Sequence, residues 1–324
     1  MSTKNTYVAI LDVGHGNCTV LRDNESVIIV DCGPGSTLLE FITAEGITQI
    51  ESIFLSHADK DHIEGIIGLV ASKICKIGSI HLNADSSKAS ALWNDMLYSI
   101  TKTGPEPKIG ISKSSGTFNC GSIQLEVASP SPYLAGKGAG GVDNSGKKIT
   151  SNSISSSFRV IWDDNVVAYL AGDIDEVSLN DIKDFKYCIE APLLVFPHHG
   201  GNAGGTNIIG FTEELCELVG ANTVIFSIGR TKHSNPRADV IKAVRGKIGK
   251  LRIACTQMSK SCCTDLTTAP VHLNSFYAHG RKNNHCCSGT FVIELNKSGI
   301  VYSPDAGSHD AFIFAAAASP LCKN

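Results

Sequence analysis

Apolar segments of strand length alternate with segments of helical periodicity along most of this chain, and polar loops join them. For example, "QIESIFLSH" predicts a short buried strand, and "IEGIIGLVASKI", a few residues later, has its apolar residues at helical spacing. The order of strand, polar loop and helix recurs without a tandem repeat. This alternation is typical of an α/β domain, in which loops at the strand ends carry the functional residues.

The composition limits the class of protein. The chain has 324 residues, of which 42% are hydrophobic and 18% are charged, and this predicts a globular protein with a substantial core. No basic region followed by a long apolar run stands at the start, and the apolar run "AFIFAAAAS" is too short to span a bilayer. We therefore expect a soluble cytoplasmic protein with no membrane contact.

We expect one domain rather than two, because no clear linker interrupts the alternation. The main domain is predicted over residues 1–250, and a cysteine-rich C-terminal elaboration, packed on the same domain, over residues 251–324. The segment "YLAGKGAGGVDNSGKK" is rich in glycine and predicts a loop, which is either a lid over a site or a surface insertion.

The charge is nearly balanced, with 28 basic and 31 acidic residues, so the sequence does not indicate a protein that coats nucleic acid along its whole surface. One segment is locally basic. It includes Arg230, Lys232, Arg237, Lys242, Arg245, Lys247, Lys250 and Arg252. Two interpretations remain open: a solvated helix face, or a surface that binds a polyanion.

Four predicted strands end in loops with side chains that bind metals. These loops are "SHADKDH", "GDID", "PHHGG" and "RTKHSNP". Loops at strand ends are where open α/β folds build their sites. Carboxylate oxygens mixed with imidazole suit zinc or manganese better than an iron–sulfur cluster.

The loop "SHADKDH" has two interpretations. His57 and Asp59 are two residues apart and point the same way from an extended segment, while Asp61 and His62 face a second position at the helix start. This arrangement would serve two ions. Alternatively, Asp61 and Glu64 form a helix-capping pair that needs no metal.

The segment "SHADKDHIEG" resembles the H-x-H-x-D-H signature of the metallo-β-lactamase fold, with Asp in place of the second His. This variant resembles the soluble hydrolase domain of ComEC-type DNA-uptake proteins. Other segments resemble that branch in the same order: "LDVGHGNCTVL", "VIIVDCGPG", "SNSISSSFRVIW", "YLAGDI" and "LLVFPHHGG". The resemblance spans Tyr7 to Val244 and implies an α/β fold, an αββα sandwich of two mixed β-sheets flanked by helices.

The resemblance also implies the roles of individual residues. The implied metal ligands, of which Asp173 is able to bridge two ions, are His57, Asp59, Asp61, His62, Asp173 and His198. His199 would point away and support the site, and Asp31 resembles a buried aspartate with a supporting role.

Two departures from the family pattern affect this set. The branch lacks the usual histidine loop between the first motif and Asp173, and this chain offers Asn152 and Ser153 there, so that one metal position is incomplete or is completed by substrate. We expect Asn152 to support the site. The last family motif resembles Asn-x-Tyr-Gly-His-Pro, whereas this chain has "RTKHSNP". We assign the role of that histidine to His233, and direct binding of a phosphate by His233 is an alternative.

The chemistry that such a site implies is hydrolysis. One or two divalent ions, zinc or manganese, lower the pKa of bound water, and Asp61 would orient that water or act as its base. The expected substrate is a phosphodiester in a nucleic acid or nucleotide, which predicts a phosphodiesterase or nuclease. The alternatives are hydrolysis of an ester, thioester or lactone, and a catalytically inactive binding module of the same fold.

The chain has twelve cysteines, and without an export signal we do not expect a disulfide framework. Six metal-competent residues lie in "CTQMSKSCC" and "HCCSG", and they include Cys255, Cys262, Cys286 and Cys287. Their spacing does not match paired C-x-x-C zinc knuckles. Two interpretations stay open: a structural zinc site drawn from both segments, and reduced cysteines that pack in the core.

Overall fold

A computed structural model describes residues 6–205, 207–230, 233–247, 251–264, 266, 276–317 and 319–323. The strands are β1 (Thr6–Ile10), β2 (Thr19–Asp23), β3 (Ser26–Val30), β4 (Gln49–Phe54), β5 (Lys76–Leu82), β6 (Pro107–Ile109), β7 (Thr117–Cys120), β8 (Ile123–Ser129), β9 (Ser157–Trp162), β10 (Asn165–Leu170), β11 (Leu193–Val195), β12 (Thr223–Phe226), β13 (Arg252–Cys255), β14 (Phe291–Asn296) and β15 (Gly299–Ser303). The α-helices are α1 (Thr37–Ala44), α2 (Lys60–Ser72), α3 (Ala91–Thr103), α4 (Pro132–Lys137), α5 (Glu176–Asp184), α6 (Ile208–Val219), α7 (Ala238–Lys247) and α8 (Ala306–Ala316). Short 3₁₀ turns lie at Lys113–Ser115, Pro197–Gly200 and His279–Asn283.

The strands form two mixed sheets. The first sheet has the order β15-β14-β1-β2-β3-β4-β5-β6 and the second has the order β13-β12-β11-β10-β9-β8-β7. In the first sheet β3 to β6 are parallel and the other pairs are antiparallel. In the second sheet β10 to β13 are parallel and β7 to β10 are antiparallel.

The two sheets pack face to face, and helices cover their outer faces. Ile53 and Phe54 are adjacent in β4 and point to opposite faces, as side chains in a strand do. Phe54 packs with Phe158 of the other sheet, whereas Ile53 packs with Phe41 and Ile66 of the helices on the outer face. Complete burial of a side chain of this size contributes about 1.5–3 kcal/mol. The αββα sandwich is therefore confirmed.

The helices are short. A helix that crosses a bilayer needs about 20 residues, and none of the helices in the described ranges has both the length and the apolar composition for this. The apolar run "AFIFAAAAS" lies mainly in α8. Its Phe312 and Ile313 are buried against the second sheet, and its Phe314 is exposed.

The C-terminal region supplies strands to both sheets. Strand β13 pairs with β12 in the second sheet, and β14 pairs with β1 in the first sheet. Residues of the predicted elaboration are thus hydrogen-bonded into the sandwich rather than placed outside it. Sequence periodicity missed the shorter elements, among them α4 and β6.

The topology brings several loops to one edge of the sandwich. Strands β3 and β4 of the first sheet end just before Asp31 and His57, and β10, β11 and β12 of the second sheet end just before the loops that hold Asp173, His198 and Ser227. The carboxyl ends of parallel strands lie at the same edge of a sheet, and crevices there bind ligands in open α/β folds. The metal-competent loops predicted from sequence meet at this edge.

Candidate active site

Helix α2 begins directly after the loop Ser56–Asp59. Asp59 is the residue before its first turn, and its carboxylate makes no capping hydrogen bond. Asp61 lies in the first turn, but its carboxylate faces His199 instead of the helix backbone, and Glu64 pairs with Lys60 at 3.2 Å. The capping interpretation of Asp61 and Glu64 is therefore wrong, because both side chains have other partners.

A first group of donors consists of His57, His62 and Asp173, whose ligand atoms lie within 4.8 Å of one another. His62 Nε2 is 3.4 Å from Asp173 Oδ1, and His57 Nε2 is 4.0 Å from Asp173 Oδ2. Both Nε2 atoms are buried and have no hydrogen-bond partner among the described residues. Buried polar atoms are nearly always satisfied, so the convergence of two such atoms on a carboxylate fits a metal ion.

Asp31 holds one of these histidines in place. Its Oδ2 lies 2.7 Å from His62 Nδ1 and accepts a hydrogen bond from the hydroxyl of Ser56 at 2.9 Å, and its Oδ1 accepts one from the backbone N–H of Ser56 at 2.7 Å. A carboxylate on Nδ1 fixes the ring so that Nε2 faces the donor group. This contact occupies the supporting position that the resemblance implies for Asp31.

Asp59 lies beside the first group. Its Oδ2 is 3.6 Å from His57 Nε2, and its Oδ1 pairs with Lys88. The neighbouring His57 ring is the largest cause that lowers the pKa of Asp59 below its usual range, and Lys88 adds to the effect against partial burial. The carboxylate of Asp59 is thus ionised and available as a metal ligand.

A second group consists of His15, Asp61 and His199, and again the ligand atoms lie within 4.8 Å of one another. Asp61 Oδ2 is 3.2 Å from His199 Nε2 and 3.6 Å from His15 Nε2. His199 Nδ1 donates to the carbonyl of Ser227 at 2.7 Å. Because a carbonyl only accepts, Nδ1 carries the hydrogen and Nε2 faces Asp61.

His198 and His199 take positions that differ from the sequence assignment. His198 was the expected ligand, but its Nε2 lies 3.0 Å from the carbonyl of Ile174, and its Nδ1 is 3.5 Å from Asp173 Oδ2. Its backbone N–H donates to Asp173 at 2.9 Å. His199, expected to support the site, is the one in a donor group. The geometry thus favours His199 over His198 as a donor.

Burial and charge act in opposite directions on the acidic groups. Burial would raise the pKa of Asp173, but His62, His198 and His199 lower it well below the usual range. Burial would likewise raise the pKa of Asp61, and the hydrogen bond from His199 and the charge of His62 lower it. Both carboxylates are therefore ionised at neutral pH, which is the form that binds cations.

His233 and Asn152 lie at the rim of the site. His233 is exposed, and its ring centroid is 4.5 Å from that of His15. The backbone carbonyl of Asn152 accepts a hydrogen bond from Ser155 at 3.0 Å, and its side-chain oxygen has no hydrogen-bond partner within the described part of the chain. Neither residue belongs to the two donor groups.

A cleft with a volume of about 390 Å³ opens beside Asp59. It is lined by Asn152 and by the lysines Lys88, Lys147 and Lys148. The glycine-rich segment supplies two of these lysines, after the short helix α4. The segment that we considered a lid or an insertion thus borders the cleft.

The basic segment does not form one continuous surface in the described residues. The Arg230 side chain is buried and donates to the carbonyls of Met258, Cys263 and Thr264. Arg252 packs on the ring of Phe291, and others pair with acidic neighbours, for example Arg237 with Asp239 and Lys247 with Glu217. Lys232 and Lys250 lie outside the described residues. Arg230 and Arg252 thus stabilise the fold, whereas Arg237, Lys242, Arg245 and Lys247 are exposed on or beside α7. A solvated helix face and a polyanion surface both stay predictions.

The cysteines of the C-terminal region point in different directions. The thiol of Cys287 contacts that of Cys255 and lies 3.3 Å from His309 Nε2. The thiol of Cys286 instead faces Asp12 Oδ2 at 3.7 Å, and Cys262 packs at the edge of the core of the second sheet. A zinc site that uses Cys286 would need its thiol to leave Asp12. Structural zinc in this region stays a prediction.

His15 is the site residue that sequence reasoning missed. It lies between β1 and β2, in the segment "LDVGHGNCTVL" that the resemblance included without assigning a ligand. A histidine between two glycines, in a loop that follows a buried strand, was the available signal. Its place next to Asp61 depends on contacts between residues that are far apart in the sequence.

Comparison with known proteins agrees with this architecture. The family model "Metallo-beta-lactamase superfamily" matches residues 11–132. No curated protein matches the chain. Similar solved structures include the metallo-beta-lactamase fold protein YhfI from Bacillus subtilis (12% identity, 78% of this chain and 96% of that chain covered, TM-score 0.48) and the human tRNase Z short form (15% identity, 67% and 91% covered, TM-score 0.40). From its sheet order, its layers and the family match, this chain has the metallo-β-lactamase fold.

Proposed function

We propose that this protein is a metal-dependent hydrolase that cleaves phosphodiesters in nucleic acids or nucleotides. The observation that carries the proposal is the convergence of two donor groups at one edge of the sandwich. The groups are neighbours, since the ring centroids of His62 and His199 are 5.6 Å apart. Two adjacent donor groups support one or two divalent ions.

The donor set fits zinc or manganese. It combines imidazole nitrogens with carboxylates, and the buried Nε2 atoms of His57 and His62 have no other hydrogen-bond partner among the described residues. His57, His62 and Asp173, with Asp59 beside them, would hold one ion, and Asp61 and His199 would hold another. A bound ion of this kind lowers the pKa of water towards about 7 and stabilises negative charge on a leaving oxygen.

The surrounding residues orient these groups and accept protons. Asp61 is the candidate base, because its ionised carboxylate is held by His199, which is in turn held by the carbonyl of Ser227. Asp31 keeps the ring of His62 in one orientation. His233, exposed at the rim, would contact a phosphate oxygen or give a proton to the leaving group.

The cleft beside Asp59 carries both signs of charge. Lys88, Lys147 and Lys148 line it with Asp59, Asp175 and Glu176, and Lys88 pairs with Asp59 and Lys147 with Glu176. If Asp59 binds an ion, Lys88 would be released to attract a phosphate group, a charge that a neutral ester or lactone would not use. The narrower resemblance to the hydrolase domain of ComEC-type proteins stays a prediction.

The test is hydrolysis of bis(p-nitrophenyl) phosphate by metal-stripped protein that is resupplied with Mn²⁺ or Zn²⁺. We expect metal-dependent turnover that falls at least about 1000-fold in Asp173→Asn, because the ions contribute several kcal/mol and each 1.4 kcal/mol is tenfold. The matched control is Asp163→Asn, at an exposed turn residue with positive φ that Asn also adopts. This control should keep full activity.

Other outcomes would redirect the proposal. Turnover of a p-nitrophenyl ester or thioester, with no turnover of the phosphodiester, would favour the alternative hydrolase. Failure to retain metal, with no turnover of any substrate, would favour an inactive binding module.

A further inference from the structure

We infer that His15 is a metal ligand that completes the second position with Asp61 and His199. This inference rests on the proposed metal-dependent function and adds a ligand that the family signature does not contain. It concerns the loop between β1 and β2, which lies outside the four metal-competent loops found in the sequence.

The geometry of the three donors matches the spacing around a small divalent ion. Donors about 2.0–2.2 Å from zinc in a tetrahedral arrangement lie roughly 3.3–3.6 Å from one another. Asp61 Oδ2 is 3.2 Å from His199 Nε2 and 3.6 Å from His15 Nε2. The rings of His15 and His199 are tilted at 51°, with centroids 4.4 Å apart. Small adjustments would place one ion between all three.

The backbone of the loop is fixed against the site. Gly16 faces the helix start so closely that a Cβ there would lie 2.4 Å from the carbonyl oxygen of Asp61. That same carbonyl accepts a hydrogen bond from the backbone of Asn17 at 3.1 Å, and the hydroxyl of Ser227 donates to the carbonyl of Gly16 at 2.6 Å. Ser227 also holds His199, so one residue sets the position of both histidines.

A buried carboxylate fixes the other side of the loop. Asp12 accepts hydrogen bonds from the backbone of Gly14 at 3.1 Å, from Gly280 at 2.8 Å and from the side chain of Gln257 at 2.8 Å. Gly229 packs directly against the backbone of His15, since a Cβ at position 229 would lie 2.4 Å from the backbone nitrogen of His15. Position 15 is thus preorganised by contacts from four parts of the chain, as a ligand position requires.

His15 also compensates for the departures of this chain from the family pattern. Asp59 stands where the signature has a second histidine, and Asn152 and Ser153 stand in place of the histidine loop. In this structure His62 lies in the first group, with His57 and Asp173. Among the described residues, the second group has Asp61 and His199 besides His15.

The first experiment measures metal content and affinity, independent of activity. Wild type, His15→Gln and the control His81→Gln are equilibrated with Zn²⁺ and Co²⁺, and the bound metal is counted by elemental mass spectrometry. His81 is a suitable control because it is buried and hydrogen-bonds to Ser79 Oγ at 3.0 Å, outside both donor groups. We expect the wild type and His81→Gln to bind two equivalents. His15→Gln should bind one equivalent of metal tightly. Its second equivalent should bind about 10–100-fold more weakly, which is the loss that mutation of a ligand's hydrogen-bond partner already causes.

A second variant reports on coordination directly. In His15→Cys, a Co²⁺ ion at this position would bind a thiolate and give an intense thiolate-to-cobalt charge-transfer absorption, since a coordinating thiol is deprotonated. The matched control His81→Cys should show only the spectrum of the wild type. Thermal unfolding in excess chelator verifies that each variant is folded, so a loss of metal is not mistaken for a loss of structure.

The outcomes separate this inference from the proposed function. If the wild type binds metal and hydrolyses phosphodiesters, but His15→Gln keeps the same stoichiometry and affinity and His15→Cys gives no new band, His15 is not a ligand and the proposed function stands. If the wild type binds no metal at all, both fail. Selective loss of the second equivalent in His15→Gln, with the new band in His15→Cys, supports the inference.

Discussion

The site edge of the sandwich and the cysteine-rich region around Cys255 and Cys287 are both rich in buried side chains that bind metals. At the site edge, six metal-binding side chains form two groups, and within each group the ligand atoms lie within 4.8 Å of one another. Both groups of this kind that occur among the described residues lie at the site edge. In the cysteine-rich region, Cys287 contacts Cys255 and His309, but Cys286 faces Asp12. Among the described residues, metal-binding residue types are therefore arranged as compact groups of ligand atoms in the first region and as separate contacts in the second.

The difference follows from how the donors are supported. The loops of the site edge follow the ends of strands, and their donors are turned inward by partners such as Asp31 and Ser227. Cys255 and Cys287 instead fill the core between the second sheet and α8. Burial raises the pKa of Cys286 above its usual range, and the charge of Asp12 raises it further, so this thiol stays protonated. From this comparison we expect supporting hydrogen bonds to distinguish a metal site from metal-competent packing.

The sharpest test of this distinction is to remove a support and keep every donor. Asp31→Asn retains the shape of the side chain but loses the charge that fixes His62. We expect metal affinity to fall about 10–100-fold, as for other partners of ligating histidines. Isothermal titration of Zn²⁺ into metal-free protein measures this, with the exposed turn residue variant Asp164→Asn as control. Equal metal affinity of Asp31→Asn and wild type would show that the contact between Asp31 and His62 does not determine metal binding at the site edge.

The next test concerns the cysteine-rich region. Cys287→Ala removes the partner of Cys255 and leaves His309 Nε2 buried without its contact, so we expect the free energy of unfolding to fall by about 1–3 kcal/mol. Urea denaturation measures this, with the exposed Cys188→Ala as control. Metal at the site edge should not change. Loss of one tightly bound zinc in Cys287→Ala would instead indicate a structural zinc, and the contrast between the two regions would disappear.

The smallest effect is expected at a buried histidine that belongs to neither region. Burial lowers the pKa of His81 to about 4, and the charge of Lys108 adds to this. The folded state holds the neutral ring, so the unfolded state binds more protons between pH 6.5 and pH 4, and stability falls as the pH decreases through this range. We expect a loss of roughly 1–2 kcal/mol between pH 7 and pH 5 that is smaller in His81→Gln. Urea denaturation at both pH values measures it, and identical losses in both proteins would show that His81 does not titrate in this way.

The alternation of strands, polar loops and helices could be predicted from the sequence because its signals are local, whereas the αββα layers were implied by the family resemblance. A buried strand followed by "SHADKDH" and a helix can be recognised from periodicity alone, and the strand-end loops of both sheets meet as expected. The short elements β6 and α4 carry too few residues for a periodic pattern.

The roles within the site could not be derived from local patterns. His198 and His199 both have positive φ, 52° and 55°, so the alternation rule for extended chains does not say which ring faces the donors. His15 reaches Asp61 only through packing of distant loops. The burial of Arg230 could not be predicted from the basic segment, because a carbonyl that it binds, that of Cys263, lies far along the chain.

The hydrogen bond between Asp12 and Gly280 joins residues 268 positions apart. Strand β1, which comes early in synthesis, pairs with β14, which comes late. Contacts of such high sequence separation form slowly, because the entropy of closing the intervening loop must be overcome first. The loop that carries His15 therefore cannot take its final position on a ribosome-bound chain until residue 280 and β14 have emerged. Metal loading at that loop would therefore wait for the synthesis of β14.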